Sequence, residues 1–184
     1  MTIVQEPLRA LGLVCSLKRT GESSSTEILT NQLAEVLVHD GVHCESIRCV
    51  DYDIHPGVGH DMGNGDQWPQ LRDKVLGADI LVLGTPTWLG HMSSVAQRVL
   101  ERLDAELSET DEEGRPILSG KLNDIGFSVP AQGCTYWNGE AMHKKDYREL
   151  DSVPEAVASA TASAAHNATH LARLLREYRY PAAQ

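Results

Sequence analysis

Two stretches of the chain hold the side chains best suited to chemistry. The first reads Cys15-Ser-Leu-Lys-Arg-Thr-Gly-Glu-Ser-Ser-Ser-Thr26, with hydroxyls at Ser16, Thr20, Ser23, Ser24, Ser25 and Thr26 and cations at Lys18 and Arg19. It runs into a helix signal. A helix start offers free main-chain N–H groups and a partial positive charge, which together suit a phosphate dianion. The hydroxyls add donors, and Lys18 or Arg19 adds charge. A solvated loop with an ordinary serine cap accounts for the same residues. The second stretch reads Gly84-Thr-Pro-Thr-Trp-Leu-Gly-His-Met-Ser-Ser94. Pro86 and Gly90 shape its backbone, and Trp88 stands at a strand end. There it could flank a flat heteroaromatic ring, or pack beneath its own loop.

Other constellations carry less. No GxxxxGK[ST] motif occurs, since Gly114 to Gly120-Lys121 has a residue too many and Leu122 follows. Gly57-Val58-Gly59 leads into no helix signal, and the first loop holds only Gly21, so a dinucleotide fingerprint is absent. Ser16 lacks the GxSxG elbow of a hydrolase nucleophile. His166 and His170 stand four residues apart on one helix, but no third ligand is evident in the sequence and they read as a surface pair. Asp51, Asp53, Asp61 and Asp66 lack calcium-loop spacing and read as a solvated loop. Tyr136 and Trp137 fit either a pocket mouth or a subunit contact. Cys15, Cys44, Cys49 and Cys134 form no CxxC pair and read as small apolar residues in a reducing compartment.

These loops need a scaffold. Ala10–Cys15 is a short apolar run, read as a buried strand. Ser24 and Glu27 stand at capping-box spacing before a helix whose face is Ile28, Leu29, Leu33, Val36 and Leu37, and Gly41 ends it. Val42–Val50 is a second strand of mixed polarity. Pro69 opens a short helix that Gly77 closes. Asp79–Gly84 reads as the strongest buried strand of the chain, and Ser93 or Ser94 caps a helix with Val95, Val99, Leu103 and Leu107 on one face. Ser152 and Glu155 suggest a capping box, with Pro154 in the first turn, for a long final helix marked by Val157, Ala160, Ala164, Ala168, Leu171 and Leu175. This alternation predicts a mostly parallel sheet with helices on both faces. Ligands of such sheets bind at the carboxyl ends of the strands, which is where both loops lie. Between Leu107 and Ser152 only Ile125–Val129 resembles a strand, and Gly126 and Pro130 weaken it.

At 184 residues the expectation is a single domain, 1–184, large enough to bury a core without disulfides or metals. The net charge of −10 argues against nucleic acid and anionic membranes as partners. No run approaches the roughly 18 apolar residues of a membrane span. The first residues lack a basic-then-apolar signal layout, so a cytoplasmic location is expected.

Together the two loops resemble those of the flavodoxin-like NAD(P)H-dependent FMN reductases. The form S-x-[RK]…[NS]-T is matched by Ser16, Lys18, Ser25 and Thr26. The form P-x-[YW]-x-G with following hydroxyls is matched by Pro86, Trp88, Gly90, Ser93 and Ser94. The resemblance covers residues 10–107. It implies a flavodoxin-like doubly wound α/β fold, with FMN as cofactor and NAD(P)H as co-substrate. It places the FMN phosphate on Ser16, Lys18, Ser24, Ser25 and Thr26, and the isoalloxazine ring beside Pro86, Thr87, Trp88, Leu89 and Gly90. A hydride would pass from NAD(P)H to the flavin and on to a flavin, quinone or other small acceptor. The flavin carries the redox chemistry, so no catalytic side chain and no metal is assigned. A homo-oligomer is also implied.

The second half departs from that pattern. Gly120-Lys121 runs directly into Leu122-Asn-Asp-Ile-Gly-Phe127, as if roughly two dozen residues were absent, about one strand and its crossover. Residues 121–129 would then replace the strand, or the sheet would lack one strand–helix unit. The alternative function is a non-catalytic flavin-binding or interaction protein impaired by that loss. A low-potential electron carrier is a third reading, which the cationic first loop disfavours.

Overall fold

A computed structural model describes residues 6–113, 115, 128–139 and 145–180. The first strand, β1 (Arg9–Val14), lies between β2 (His43–Arg48) and β3 (Ile80–Gly84), and both pairings are parallel. Val14 is level with Arg48 on one side and Gly84 on the other. Strand side chains alternate between faces. Leu11, Leu13 and Cys15 point to one face, beneath α2 (Trp68–Leu76) and α3 (Ser94–Leu103). Ala10, Ile80 and Val82 belong to the other face, with α1 (Ser25–His39) and α4 (Glu155–Glu177). Helices therefore cover both faces of a parallel sheet, the expected flavodoxin-like architecture.

Close approach of α1 to the sheet depends on glycine. A Cβ at Gly12 would stand 3.2 Å from Thr30 Cγ2, and one at Gly84 would run into Thr30 Oγ1. On α4 the buried stripe is Val157, Thr161, Ala164, Ala165, Thr169 and Ala172, mostly small residues that let it lie against α1. That stripe is turned from the expected one, because close packing selects small side chains over the larger Leu171 and Leu175.

Several local expectations are corrected. Strand β3 is half-buried beyond Ile80, because among the described residues it is an edge strand flanking a cavity. Residues 152–155 form no capping box; Pro154 is the N-cap and gives no side-chain bond. Ser24 does cap α1, weakly, accepting the Glu27 N–H at 3.4 Å, but the Glu27 carboxylate turns to Arg48 instead of closing the box. Ser128 and Val129 are not in a strand, and residues 121–127, with the Lys121–Leu122 junction, lie outside the described residues. The aspartates of 51–66 are not all solvated. The Asp66 side chain is fully buried, paired with the equally buried Arg102 at 2.7 Å. Arg102 also donates to the carbonyls of His55, Gly59 and His60, so the pair fastens the loop to α3.

Candidate active site

Both chemistry-bearing loops leave the carboxyl end of the sheet, and their anchors meet there. Ser93 accepts the Ala96 N–H at 3.1 Å and so caps α3. Its hydroxyl also donates to the Cys15 carbonyl at 2.6 Å, tying the second loop to the end of β1. Thr85 Oγ1 accepts the Ser93 N–H at 3.0 Å and closes the second loop on itself.

The first loop is shaped by a residue that the sequence pattern did not single out. Arg48 ends β2, level with Val14, and is buried beneath the loop. Its guanidinium donates to the carbonyls of Lys18 (3.1 Å), Arg19 and Glu22 (2.7 Å), and to the Glu27 carboxylate. The hydrogen bond from Arg48, with its charge, holds the Glu27 carboxyl below its ordinary pKa against a smaller burial effect. Asp51 supports the loop from the other side, accepting Thr20 Oγ1 at 2.5 Å. No spacing rule announced these contacts, since they join positions about 20 to 31 residues apart.

The expected phosphate residues are gathered around the start of α1. Ser16 is buried, and its hydroxyl accepts the Lys18 N–H at 3.2 Å. Lys18 Nζ folds back to the Ser23 carbonyl at 2.8 Å. Ser24 is buried at the cap, and Ser25 and Thr26 occupy the first turn. Among the described residues the main-chain N–H groups of Ser24, Ser25 and Thr26 have no acceptor. Three orphan donors at a helix start, beside the Lys18 ammonium, match the demands of a phosphate dianion.

A cavity of about 770 Å³ opens beside this turn, a size ordinary for a cofactor pocket. Ser25, Thr26, Pro86 and Thr87 line it, so the structure joins parts of both loops in one space. Trp88, Leu89 and Gly90 do not line it. They form the hairpin of β4 (Thr87–Trp88) and β5 (His91–Met92), where Leu89 (φ 49°) and Gly90 (φ 83°) make the turn. Trp88 is 57% exposed, so it does not pack beneath its own loop. Tyr136 and Trp137 both border the cavity, and Trp137 packs on Tyr147 with ring centroids 5.5 Å apart. Below them the cavity runs the length of β3 to Asp79 and α4.

The cysteines are all free. Cys15 and Cys49 are buried with their sulfurs 3.8 Å apart, Cys44 is half-buried, and Cys134 is exposed at the cavity. The hydrogen bond to Cys49, then burial, pushes the Cys15 thiol far up, which makes it inert. His166 pairs with Asp40 at 2.6 Å.

Residues 8–180 match the family described as NADPH-dependent FMN reductase. The chain belongs to that family. An 8-demethyl-8-aminoriboflavin-5'-phosphate synthase of Streptomyces davaonensis is 28% identical over 206 positions, covering 94% of this chain and 80% of the relative. A crystal structure of RosB with a bound intermediate, 8-demethyl-8-formylriboflavin-5'-phosphate, superposes with a TM-score of 0.81 at 25% identity, over 94% of this chain and 82% of that one. A Mycobacterium bovis protein named divalent metal cation transporter MntH is 34% identical over 199 positions, or 92% of this chain. The chain spans only 29% of that relative's length. Among the described residues no helix is long and apolar enough to cross a membrane, and no three potential metal ligands cluster. Since 92% of the chain is about 169 residues, some 30 of those 199 aligned positions face no residue here.

Proposed function

We propose that the chain is an FMN-dependent oxidoreductase that passes a hydride from NAD(P)H, through bound FMN, to a flavin, quinone or other small acceptor. The observation that carries this reading is the trio of orphan N–H groups at Ser24–Thr26, two of whose residues, Ser25 and Thr26, line the cavity bordered by Pro86 and Thr87. Membership of the family and a neighbour holding a riboflavin-5'-phosphate derivative support it.

FMN, when bound, supplies the two-electron chemistry; the protein binds and orients it. Ser16, Lys18, Ser24, Ser25 and Thr26 would hold the phosphate, with Arg48 keeping their loop in shape. Pro86, Thr87, Trp88, Leu89 and Gly90 would border the ring, Trp88 from an exposed hairpin. Tyr136 and Trp137 offer further aromatic surface at the cavity edge. No side-chain acid or base is required, and none is assigned.

The test is a fluorescence titration with FMN and with riboflavin. FMN should quench and bind at least tenfold more tightly than riboflavin, because only FMN carries the dianion. Equal affinities, or no quenching, contradict the reading. A second reading keeps flavin binding without turnover. Among the described residues no strand pairs with the outer edge of β3 beside the cavity, and this favours it. NAD(P)H oxidation at rates normal for a reductase would exclude it.

A further inference from the structure

Over the proposed phosphate site lies a turn that neither loop contains. Tyr147–Glu149 forms one turn of 3-10 helix capped by Asp146, whose main-chain N–H donates to Glu149 at 2.8 Å. Tyr147 anchors it. That side chain is buried, its hydroxyl donates to Gln32 of α1 at 2.6 Å, and Trp137 packs on its ring. The anchor brings two charged neighbours to the start of α1. The Asp146 carboxylate accepts the Ser25 hydroxyl, and the Arg148 N–H donates to Ser25 Oγ at 3.3 Å. The Arg148 guanidinium reaches the Ser23 carbonyl at 3.2 Å and lies 3.3 Å from Asp146.

Two features of this arrangement ask for an anion. Lys18 and Arg148 both donate to one neutral acceptor, the Ser23 carbonyl, so two like charges converge beside the positive end of a helix. The negative group placed among them is Asp146, a carboxylate on the hydroxyl that the first-loop reading gives to a phosphate. A phosphate dianion and that carboxylate repel, and they compete for the same donor.

We propose that Arg148 is a phosphate ligand of the flavin site, and that Asp146 is its resident counter-ion, which the arriving phosphate displaces from Ser25. This rests on the reading of α1 as the FMN phosphate site. The ligand class is a phosphate monoester, and a guanidinium fork is the donor best matched to it. The turn would then couple phosphate binding to the wall formed by Trp137 and Tyr147.

Paired titrations with FMN and riboflavin test it in the full-length protein. Arg148→Gln should weaken FMN about tenfold and leave riboflavin unchanged, and Arg148→Lys should restore part of the loss. Asp146→Asn, which keeps a hydrogen-bonding cap, should tighten FMN several-fold with no change for riboflavin. Equal losses for both ligands in Arg148→Gln would mean a structural role only and overturn the proposal. So would unaltered FMN affinity in Arg148→Gln, or weaker FMN binding in Asp146→Asn. If the wild-type protein fails to prefer FMN over riboflavin, the phosphate reading itself is what has failed.

Discussion

Arg48 decides whether the loop before α1 has a fixed shape. It gathers three carbonyls that would otherwise point at one another, and it balances its buried charge with Glu27. Arg48→Met keeps the apolar stem and removes the donors. We expect a loss of about 2 kcal/mol in urea unfolding, the scale of hydrogen bonds to a charged group, together with weaker FMN binding. Asp66 makes a second prediction. Burial alone would raise its pKa, but the N–H groups of Met62, Trp68 and His55 and the Arg102 guanidinium outweigh that and hold it well below the usual carboxylate range. A carboxyl depressed in the folded state stabilises fully above its unfolded value, and that stability is lost as pH falls through the folded one. The urea midpoint should therefore fall as pH drops from about 5 toward 2, and Asp66→Asn should flatten that dependence. Asp66→Ala, which leaves Arg102 buried and unpaired, should cost about 3–5 kcal/mol.

At the scale of elements, the site depends on α1 lying close enough to the sheet for its first turn to reach the cavity. Gly84 and Thr30 set that distance. Gly84→Ala should destabilise the protein by about 1–3 kcal/mol through overpacking, and Thr30→Ala should recover most of that loss in the double variant, a coupling read by thermal unfolding. The elements themselves were readable from the sequence. Ser24 and Gly41 bracket α1 as expected, Ser93 caps α3, and β1, β2 and β3 each lie within two residues of their expected runs, whereas the β4–β5 hairpin had no such signal. The failures were physical. A capping box needs its side chains free, and Glu27 had a stronger partner in Arg48. Proline took the cap position at α4 in place of Ser152. Arg48, Asp146, Tyr147 and Arg148 escaped notice because long-range pairings leave no periodicity behind.

At the scale of the whole molecule, the β2-β1-β3 order puts both loops on one end, and that followed from the alternation of strands and helices alone. How the second half completes the wall beside β3 did not follow, because between Leu107 and Ser152 the sequence offers only one weak strand signal, Ile125–Val129, and no crossover to predict from. The β4–β5 hairpin displays Trp88, Met92 and Leu89, the last fully exposed. Among the described residues Leu89 has no packing partner, and we expect this hairpin to take part in a homo-oligomer. Leu89→Asp should leave the unfolding temperature of the protomer unchanged and shift sedimentation to a smaller species; an unshifted species would remove the hairpin from the interface. The most direct test of the account is optical. FMN-loaded protein mixed with NADPH or NADH in the absence of oxygen should lose the visible band of oxidised flavin within the time of a normal turnover assay, and regain it when a quinone or free flavin is added. Protein that binds FMN yet keeps its yellow colour with both nucleotides would contradict the proposed oxidoreductase function.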